Sequence, residues 1–270
     1  AAMITEMLIE LELDSSSKAA VSYTGSYPGA NIAVLSALEA MGIKASIISS
    51  CGSSEWGATY PEMTWIEMEN YLNQEDYISN KSNLGSIGGG FDLGIQLNQQ
   101  GREVCETAIY SNNMELLHEK DPIENVKKRM QYYYQNSELG FADLFINVGG
   151  GIYIIGDSLK RNNLPVGIIY PGDINLDINQ TVLEGFLDKD IPAININHIE
   201  RLMEWYELPY PPNNKNKIIT GILFYSQKKY NLKIILTAFI IAAGTVLFVG
   251  IVSHREIKKR MHSSEPESIL

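Results

Sequence analysis

The apolar positions in the first part of the chain alternate between short strand-like runs and stretches of helical spacing. An apolar run at 20–23 precedes a turn at 25–29, and from Ala30 apolar residues recur at helical spacing until Gly42. A second strand-like run follows at 44–50. Strand, helix and strand in this order predict a βαβ unit with parallel strands and a right-handed crossover.

The alternation continues as far as residue 206. Thr64 is a suitable helix N-cap, because Glu67 stands three residues further on and completes a capping-box pattern. Residues 85–94 are rich in glycine and predict a loop. We expect strands at 142–148, 166–169 and 192–196, and helices at 64–73, 98–111, 122–135, 181–187 and 199–206. The pattern therefore predicts an α/β fold with a mostly parallel sheet and flanking helices.

An apolar segment without charged residues lies near the C-terminus, at 234–252. A helix of about 20 residues spans the hydrocarbon core of a bilayer, so the segment predicts one C-terminal transmembrane helix. A buried helix of a soluble domain is the alternative. We therefore expect an α/β head at 1–212, a polar juxtamembrane linker at 213–233, the transmembrane helix at 234–252 and a short charged tail at 253–270.

Basic residues flank this segment on both sides. Three precede it and four follow it, so the positive-inside rule favours a cytoplasmic tail and a head outside the cytoplasm; they are Lys228, Lys229 and Lys233 before it, and Arg255, Lys258, Lys259 and Arg260 after it. The chain begins with Ala1 and not with Met, so we expect it to be processed, trimmed or a fragment of a longer reading frame.

Composition and charge narrow the class of protein. Of the 270 residues, 45% are hydrophobic and 20% are charged, which is typical of a globular chain and excludes a disordered one. The 16 basic and 29 acidic residues ahead of Lys233 give the head a net charge near −13. Nucleic-acid binding is disfavoured, because it depends on basic surfaces. Cys51 and Cys105 are too few for a disulfide scaffold, although one disulfide between them is possible.

Parallel sheets bind ligands at the carboxyl ends of their strands. Four loops rich in Gly, Ser or Asn are candidates for such a site, at 24–31, 49–58, 85–94 and 147–151, and the first, second and fourth of them directly follow predicted strands. Small residues allow backbone N–H groups to face an anionic ligand, and hydroxyl and amide side chains add hydrogen bonds. The residues that we expect to contact a ligand are Gly25, Asn31, Ser50, Gly52, Ser53, Trp56, Gly88, Gly89, Gly90, Asn147, Gly149 and Gly150.

Each of these loops also fits a structural role, as an ordinary turn, a solvated surface loop or a site of close packing. The first loop has neither the Walker spacing nor the dinucleotide-binding spacing of glycines. The chain has no HExxH, CxxC or GxSxG motif, so the known metalloprotease and hydrolase patterns give no support, and no metal site is predicted.

Three residues form a candidate catalytic set. Ser26 follows the first strand and could act as a nucleophile, and His198 follows the last strand and could act as its base. Asp92, in the third loop, could orient the histidine, bind a metal or act as a base. Capping or burial are the structural alternatives for Ser26 and His198. Cys51 is a further candidate nucleophile, although no neighbouring residue marks it as activated.

Several segments resemble the poly-gamma-glutamate system protein family. They read TGSYPGANIAVLSALEAMGI, IISSCGSSEWGATYPEMTWIEME, LGSIGGGFDLG and FINVGGG. The resemblance extends from about residue 21 to 210, and the stretch at 49–65 is its most specific part.

The resemblance implies a membrane-associated α/β protein that acts with the synthase and export components of bacterial poly-γ-glutamate or capsule production. The expected partners are poly-γ-glutamate or γ-glutamyl peptides, membrane synthase or export subunits and the lipid bilayer of the bacterial cell membrane. Nucleic acid is not an expected partner, and no cofactor is indicated. There are two alternatives. One is an amide hydrolase or transferase that uses Ser26 and His198, and the other is a purely structural partner of the synthase.

Overall fold

The computed structural model describes residues 1–53, 56–136, 141–177, 180–208 and 232–262. The chain divides into two compact units, residues 1–224 and 225–270. The first unit is an α/β domain with one sheet, and the second contains a long apolar helix.

The sheet of the first unit has seven strands, six of them parallel. Their order across the sheet is β4-β3-β2-β1-β5-β7-β6, and only β6 runs antiparallel to its neighbour. The central strands are buried on both faces, which fits their continuous apolar runs. The strands are β1 (Lys18–Thr24), β2 (Lys44–Ser50), β3 (Leu84–Ser86), β4 (Glu115–Leu116), β5 (Leu144–Val148), β6 (Gly167–Ile169) and β7 (Ala193–Ile196).

The described residues contain ten α-helices, nine of them in the first unit. Short 3₁₀ and π turns cover Gly90–Asp92 and Tyr132–Asn136. The helices are α1 (Ala2–Glu10), α2 (Pro28–Met41), α3 (Trp65–Gln74), α4 (Gln99–Ser111), α5 (Pro122–Gln131), α6 (Ile152–Ile155), α7 (Ser158–Asn163), α8 (Val182–Leu187), α9 (Ile199–Trp205) and α10 (Leu232–His262). The predicted class, a mostly parallel sheet with flanking helices and a C-terminal apolar helix, is confirmed.

Two large apolar cores cover the two faces of the sheet. The first contains Val21 and Ile146 together with residues of α1 and α2. The second contains the adjacent strand residues Ala20 and Phe145, whose side chains alternate to the other face, with residues of α8. Hydrophobic burial on both faces fixes the register of the sheet, because a shift by one residue would exchange the two cores.

The strand order reverses at β1. From β1 the chain adds β2, β3 and β4 on one side, then crosses to place β5 on the other side. Ser22 of β1 lies opposite Asn147 of β5, and Asn147 lies opposite Asn195 of β7. Such a reversal opens a crevice between the two diverging loops at the carboxyl ends of the strands, here those of β1 and β5.

Several elements differ from the sequence prediction. The predicted loop at 85–94 begins inside β3, since Leu84, Gly85 and Ser86 pair with β2. The short strand β4 and the helices α1, α6 and α7 were not predicted from the pattern. The predicted helix over 122–135 is confirmed, but it ends as a π turn after Gln131.

The second unit contains α10, which extends beyond the predicted segment on both sides. Within the described residues, Lys233–Met261 is the one stretch long and apolar enough to cross a membrane. Residues 213–231 of the predicted linker lie outside the described residues.

Candidate functional site

The four predicted loops come together at the carboxyl ends of the strands. We name them loop 1 (residues 24–31), loop 2 (49–58), loop 3 (85–94) and loop 4 (147–151), and their common surface the carboxyl edge. Gly25 N–H donates to the carbonyl of Ser50 at 2.9 Å, and Ala58 N–H donates to Gly25 at 2.8 Å. Gly52 N–H donates to Ile87 at 2.8 Å. Loops 1, 2 and 3 therefore form one hydrogen-bonded surface.

Close packing of these loops depends on glycine at two positions. A Cβ atom on Gly25 would lie 2.3 Å from the carbonyl oxygen of Cys51. Gly57 has a φ of 106°, and a Cβ atom there would lie 2.5 Å from the carbonyl oxygens of Gly25 and Ser26. Backbone therefore packs directly on backbone where loops 1 and 2 meet.

We expect Gly25→Ala to destabilise the head by about 1–3 kcal/mol, because the new methyl group forces loop 2 away from loop 1. Gly29→Ala is the matched control in the same loop. Nothing lies within 4 Å of its Cβ position, and alanine is favoured over glycine in helix α2. The control should leave the urea midpoint unchanged or raise it. Equal midpoints for the two variants would contradict this packing.

Loop 4 closes the other side of the crevice. Gly149 has a φ of 99°, and a Cβ atom there would lie 2.4 Å from Cγ2 of Thr24 in loop 1. Its N–H donates to the carbonyl of Ile196 at 2.9 Å. Loop 4 therefore packs between loop 1 and the end of β7.

A chain of buried amide side chains leads to loop 4. Asn195 donates its Nδ2 to the carbonyl of Pro165 at 2.7 Å, which leaves its Oδ1 to accept from Nδ2 of Asn147 at 2.8 Å. Asn147 also donates to the carbonyl of Gly149 at 2.8 Å. These bonds fix the orientation of both amides. The Oδ1 atom of Asn147 is buried and has no partner in the described structure.

A second buried amide lies at loop 1. Asn31, in the first turn of α2, is fully buried and donates its Nδ2 to the carbonyl of Thr24 at 2.8 Å. Its Oδ1 has no partner among the described residues. A buried acceptor without a donor costs about 1–3 kcal/mol. The carboxyl edge therefore contains two buried side-chain carbonyls without a donor among the described residues.

The end of β7 adds two more unpaired atoms. Nδ2 of Asn197 and Nε2 of His198 are buried and lack partners in the described part of the chain. His198 has a φ of 50° and is the N-cap residue of α9. Ser26 is half-buried in loop 1. Because β5 separates β1 from β7, these strands lie about 10 Å apart, and the pairing of Ser26 with His198 stays a prediction.

Asp92 forms a buried ion pair with Arg129 of α5. Their side chains are 9% and 2% exposed. Asp92 also accepts from the hydroxyl of Ser86 at 2.8 Å, and Arg129 donates from Nε to Oδ1 of Asn125 at 2.9 Å. The observed partners of Asp92 thus attach loop 3 to α5, and its role beside His198 remains a prediction.

Cys51 and Cys105 are free thiols in the interior. A side-chain hydrogen bond to Cys105, together with burial, raises the pKa of the Cys51 thiol well above its usual range. Because the thiolate is the nucleophile, a thiol of raised pKa without solvent access is unreactive. The structure therefore opposes a nucleophilic Cys51, and it contains no disulfide between these two cysteines.

The remaining predicted ligand residues differ in exposure. Trp56 is 80% exposed, whereas Ser50 and Ser86 share a hydrogen bond of 2.9 Å between their hydroxyls. Gly88 and Gly89 both have positive φ, and Gly90 N–H donates to the side chain of Gln96.

Ser53 is half-buried, and its Oγ has no partner in the described ranges. Within those ranges no group of three His, Cys, Asp or Glu residues could hold a metal ion.

The prediction omitted Asn195, Asn197 and Arg161. The two asparagines occupy alternate positions at the end of an apolar strand, a pattern that could have identified them. Arg161 contacts loop 4 from α7, and no local pattern marks it.

Comparison of the chain with models of protein families, with curated proteins and with solved structures finds no match.

Proposed function

We propose that the chain is a membrane-anchored accessory protein of bacterial poly-γ-glutamate synthesis or export, and that its head binds a γ-glutamyl chain or precursor at the carboxyl edge. The proposed binding site rests on one observation. The buried side-chain carbonyls of Asn31 and Asn147 have no hydrogen-bond donor in the described structure. The resemblance of loops 1 to 4 to the poly-gamma-glutamate system family supports the choice of ligand.

The chemistry of a γ-glutamyl unit fits the groups at this edge. Its amide N–H can donate to Asn31 or Asn147, and its amide carbonyl can accept from Nδ2 of Asn197. Its two main-chain methylene groups suit the exposed aromatic rings of Tyr27 and Trp56. Acceptors, donors and apolar surface thus lie on one edge of the sheet, and ligand binding requires the buried amide atoms of Asn31, Asn147 and Asn197 to become exposed.

The charge of the head limits how much of a polymer it contacts. With a net charge near −13 ahead of Lys233, most of the surface repels a polyanion. Recognition is therefore local, over one or a few glutamyl units at the carboxyl edge.

The apolar helix α10 supports the membrane part of the proposal. By length and composition, Lys233–Met261 can cross a bilayer. We propose that it anchors the head at the bacterial cell membrane, outside the cytoplasm, beside the synthase or export subunits.

The proposal is tested by titrating the full chain, in lipid nanodiscs, with γ-linked pentaglutamate and with the α-linked peptide of equal charge. We expect saturable binding of the γ-linked peptide and at least about tenfold weaker binding of the α-linked peptide. The reason is that the amide groups and carboxylates of the two peptides are spaced differently along the chain. Equal affinity for both peptides, or no binding of either, would contradict the proposal.

The alternative is hydrolysis or transfer at the same edge, favoured by the unpaired Nε2 of His198. Here the Ser26 hydroxyl attacks the γ-amide carbon while His198 takes its proton. The C–N bond then breaks, the proton passes to the leaving amine, and the acyl group stays on Ser26 as an ester. Water or an acceptor amine then attacks this ester, and its proton returns through His198 to the Ser26 oxygen. Mass spectrometry of the same titration detects shortened peptides, and their loss in Ser26→Ala would establish this alternative.

A further inference from the structure

Arg161 reaches from α7 back to loop 4. Its Nη1 donates to the carbonyl of Gly150 at 3.0 Å, and the side chain is half-buried. A Cβ atom on Gly150 would lie 2.7 Å from this Nη1 and 3.0 Å from Cδ of Arg161. Glycine at this position therefore allows the guanidinium group to lie against the backbone at the carboxyl edge.

The charge of Arg161 is not neutralised within the described ranges, where no carboxylate lies within ion-pair distance of it. The neighbouring Lys160, in contrast, forms two ion pairs, with its Nζ atom 2.7 Å from a carboxylate oxygen of Asp177 and 2.6 Å from one of Glu184. Acidic residues far outnumber basic ones in this head, and yet Arg161 has no ion-pair partner among the described residues, so its charge is left for an external anion.

The donors that remain on Arg161 suit a carboxylate. A guanidinium has five N–H donors in a planar fork, and one of them has a hydrogen-bond partner among the described residues. The fork matches the two oxygens of a carboxylate or of a phosphate. The contact to Gly150 holds the group in place, which lowers the entropy lost when it binds an anion.

An independent observation identifies an acceptor on the same loop. Asn147 donates to the carbonyl of Gly149, and Arg161 donates to the next carbonyl, that of Gly150. Asn147 and Arg161 thus donate to consecutive carbonyls of loop 4. The Oδ1 atom of Asn147 still lacks a partner in the described structure. A γ-glutamyl unit carries an amide N–H and a carboxylate on one carbon atom, a hydrogen-bond donor and an anion that suit these two groups in chemical type.

We propose that Arg161 binds the α-carboxylate of a γ-glutamyl unit at loop 4 and so determines specificity for the free acid. The identity of the ligand rests on the proposed function, whereas the anion site rests on the geometry of Arg161 alone. A free phosphate would satisfy the same guanidinium, so the experiment separates the two anions.

The test uses the full chain in lipid nanodiscs and three probes: γ-linked pentaglutamate, the same peptide with its α-carboxylates amidated, and inorganic phosphate. Arg161→Gln removes the fork, and Arg161→Lys keeps the charge without it. Lys127→Gln is the control for net charge, because Lys127 is 67% exposed on α5. Isothermal titration gives each dissociation constant.

We expect Arg161→Gln to weaken binding of the acid peptide by about 10- to 100-fold, with a smaller loss for Arg161→Lys. Binding of the amidated peptide should change less than about threefold between wild type and Arg161→Gln, since this peptide has no α-carboxylate for Arg161 to bind in either protein. Lys127→Gln should behave like wild type.

The other outcomes separate the two proposals. Equal binding of the acid peptide by wild type and Arg161→Gln would overturn the role of Arg161 and leave the proposed function standing. Binding of phosphate but not of the peptide, lost in Arg161→Gln, would support the anion site and overturn the proposed ligand. Binding of none of the probes would overturn both.

Discussion

Replacement of Arg129 by methionine is expected to lower the free energy of unfolding by about 3–5 kcal/mol, the largest effect expected of a single substitution in the head. The substitution leaves the carboxylate of Asp92 buried without its cation, and an unpaired buried charge costs this much. It also removes the donor to Asn125. Loop 3 would lose its attachment to α5.

Lys128→Met is the matched control, because the neighbouring Lys128 is 49% exposed and its ion pair with Glu119 lies at the surface. Surface pairs contribute about 0–1 kcal/mol. The double variant Arg129→Met/Asp92→Asn should recover part of the loss, since the isolated charge is then absent. Similar losses for Arg129→Met and Lys128→Met would show that the buried pair does not stabilise the head.

Urea unfolding of the full chain in detergent micelles measures these differences. Trp65 is fully buried against Tyr23, with ring centroids 5.5 Å apart, whereas Trp56 and Trp205 are 80% and 66% exposed. A Trp56→Phe/Trp205→Phe background leaves Trp65 as the single fluorescent reporter of the packed head.

Stability of the wild-type head should fall as the pH rises from about 4.5 to above 7, and Glu69 is the cause. Burial raises the pKa of Glu69 to about 7, against the lowering effect of hydrogen bonds from Ser82. At pH values between the pKa of Glu69 in the unfolded chain and its pKa in the folded head, the native state binds more protons than the unfolded state. Native stability therefore decreases with increasing pH, by roughly 3 kcal/mol in all.

Glu69→Gln should remove this pH dependence, because the amide keeps a hydrogen-bonding carbonyl and does not ionise. The difference in unfolding free energy between variant and wild type should increase from pH 5 to pH 8. Glu75→Gln, exposed at the end of the same helix, serves as the control. Parallel pH profiles for wild type and Glu69→Gln would rule out a buried titrating carboxyl.

Elements with strong local signals were predictable from the sequence. The run at 142–148 gave β5, and Thr64 with Glu67 marked the start of α3, where the Glu67 carboxylate accepts from Thr64 N–H at 3.1 Å. β3 was missed because Leu84, Gly85 and Ser86 have no apolar periodicity. That strand exists through its pairing with β2 and β4.

The loops of the carboxyl edge were predictable because parallel strands place their ends together.

The buried atoms without hydrogen-bond partners could not be predicted from the sequence. Whether the Oδ1 of Asn147 lacks a partner depends on Asn195 and Pro165, which are distant in sequence. The approach of Arg161 to Gly150 likewise depends on how α7 folds back, and the partner of Asp92 depends on the packing of α5.

The most direct test of the carboxyl edge as the ligand site is hydrogen–deuterium exchange of the full chain in nanodiscs, with and without saturating γ-linked pentaglutamate. We predict slower exchange in peptides that cover loop 1 and loop 4, residues 24–31 and 147–151, with no change in α10. Protection confined to other regions, or unchanged exchange in both loops at saturation, would contradict the account.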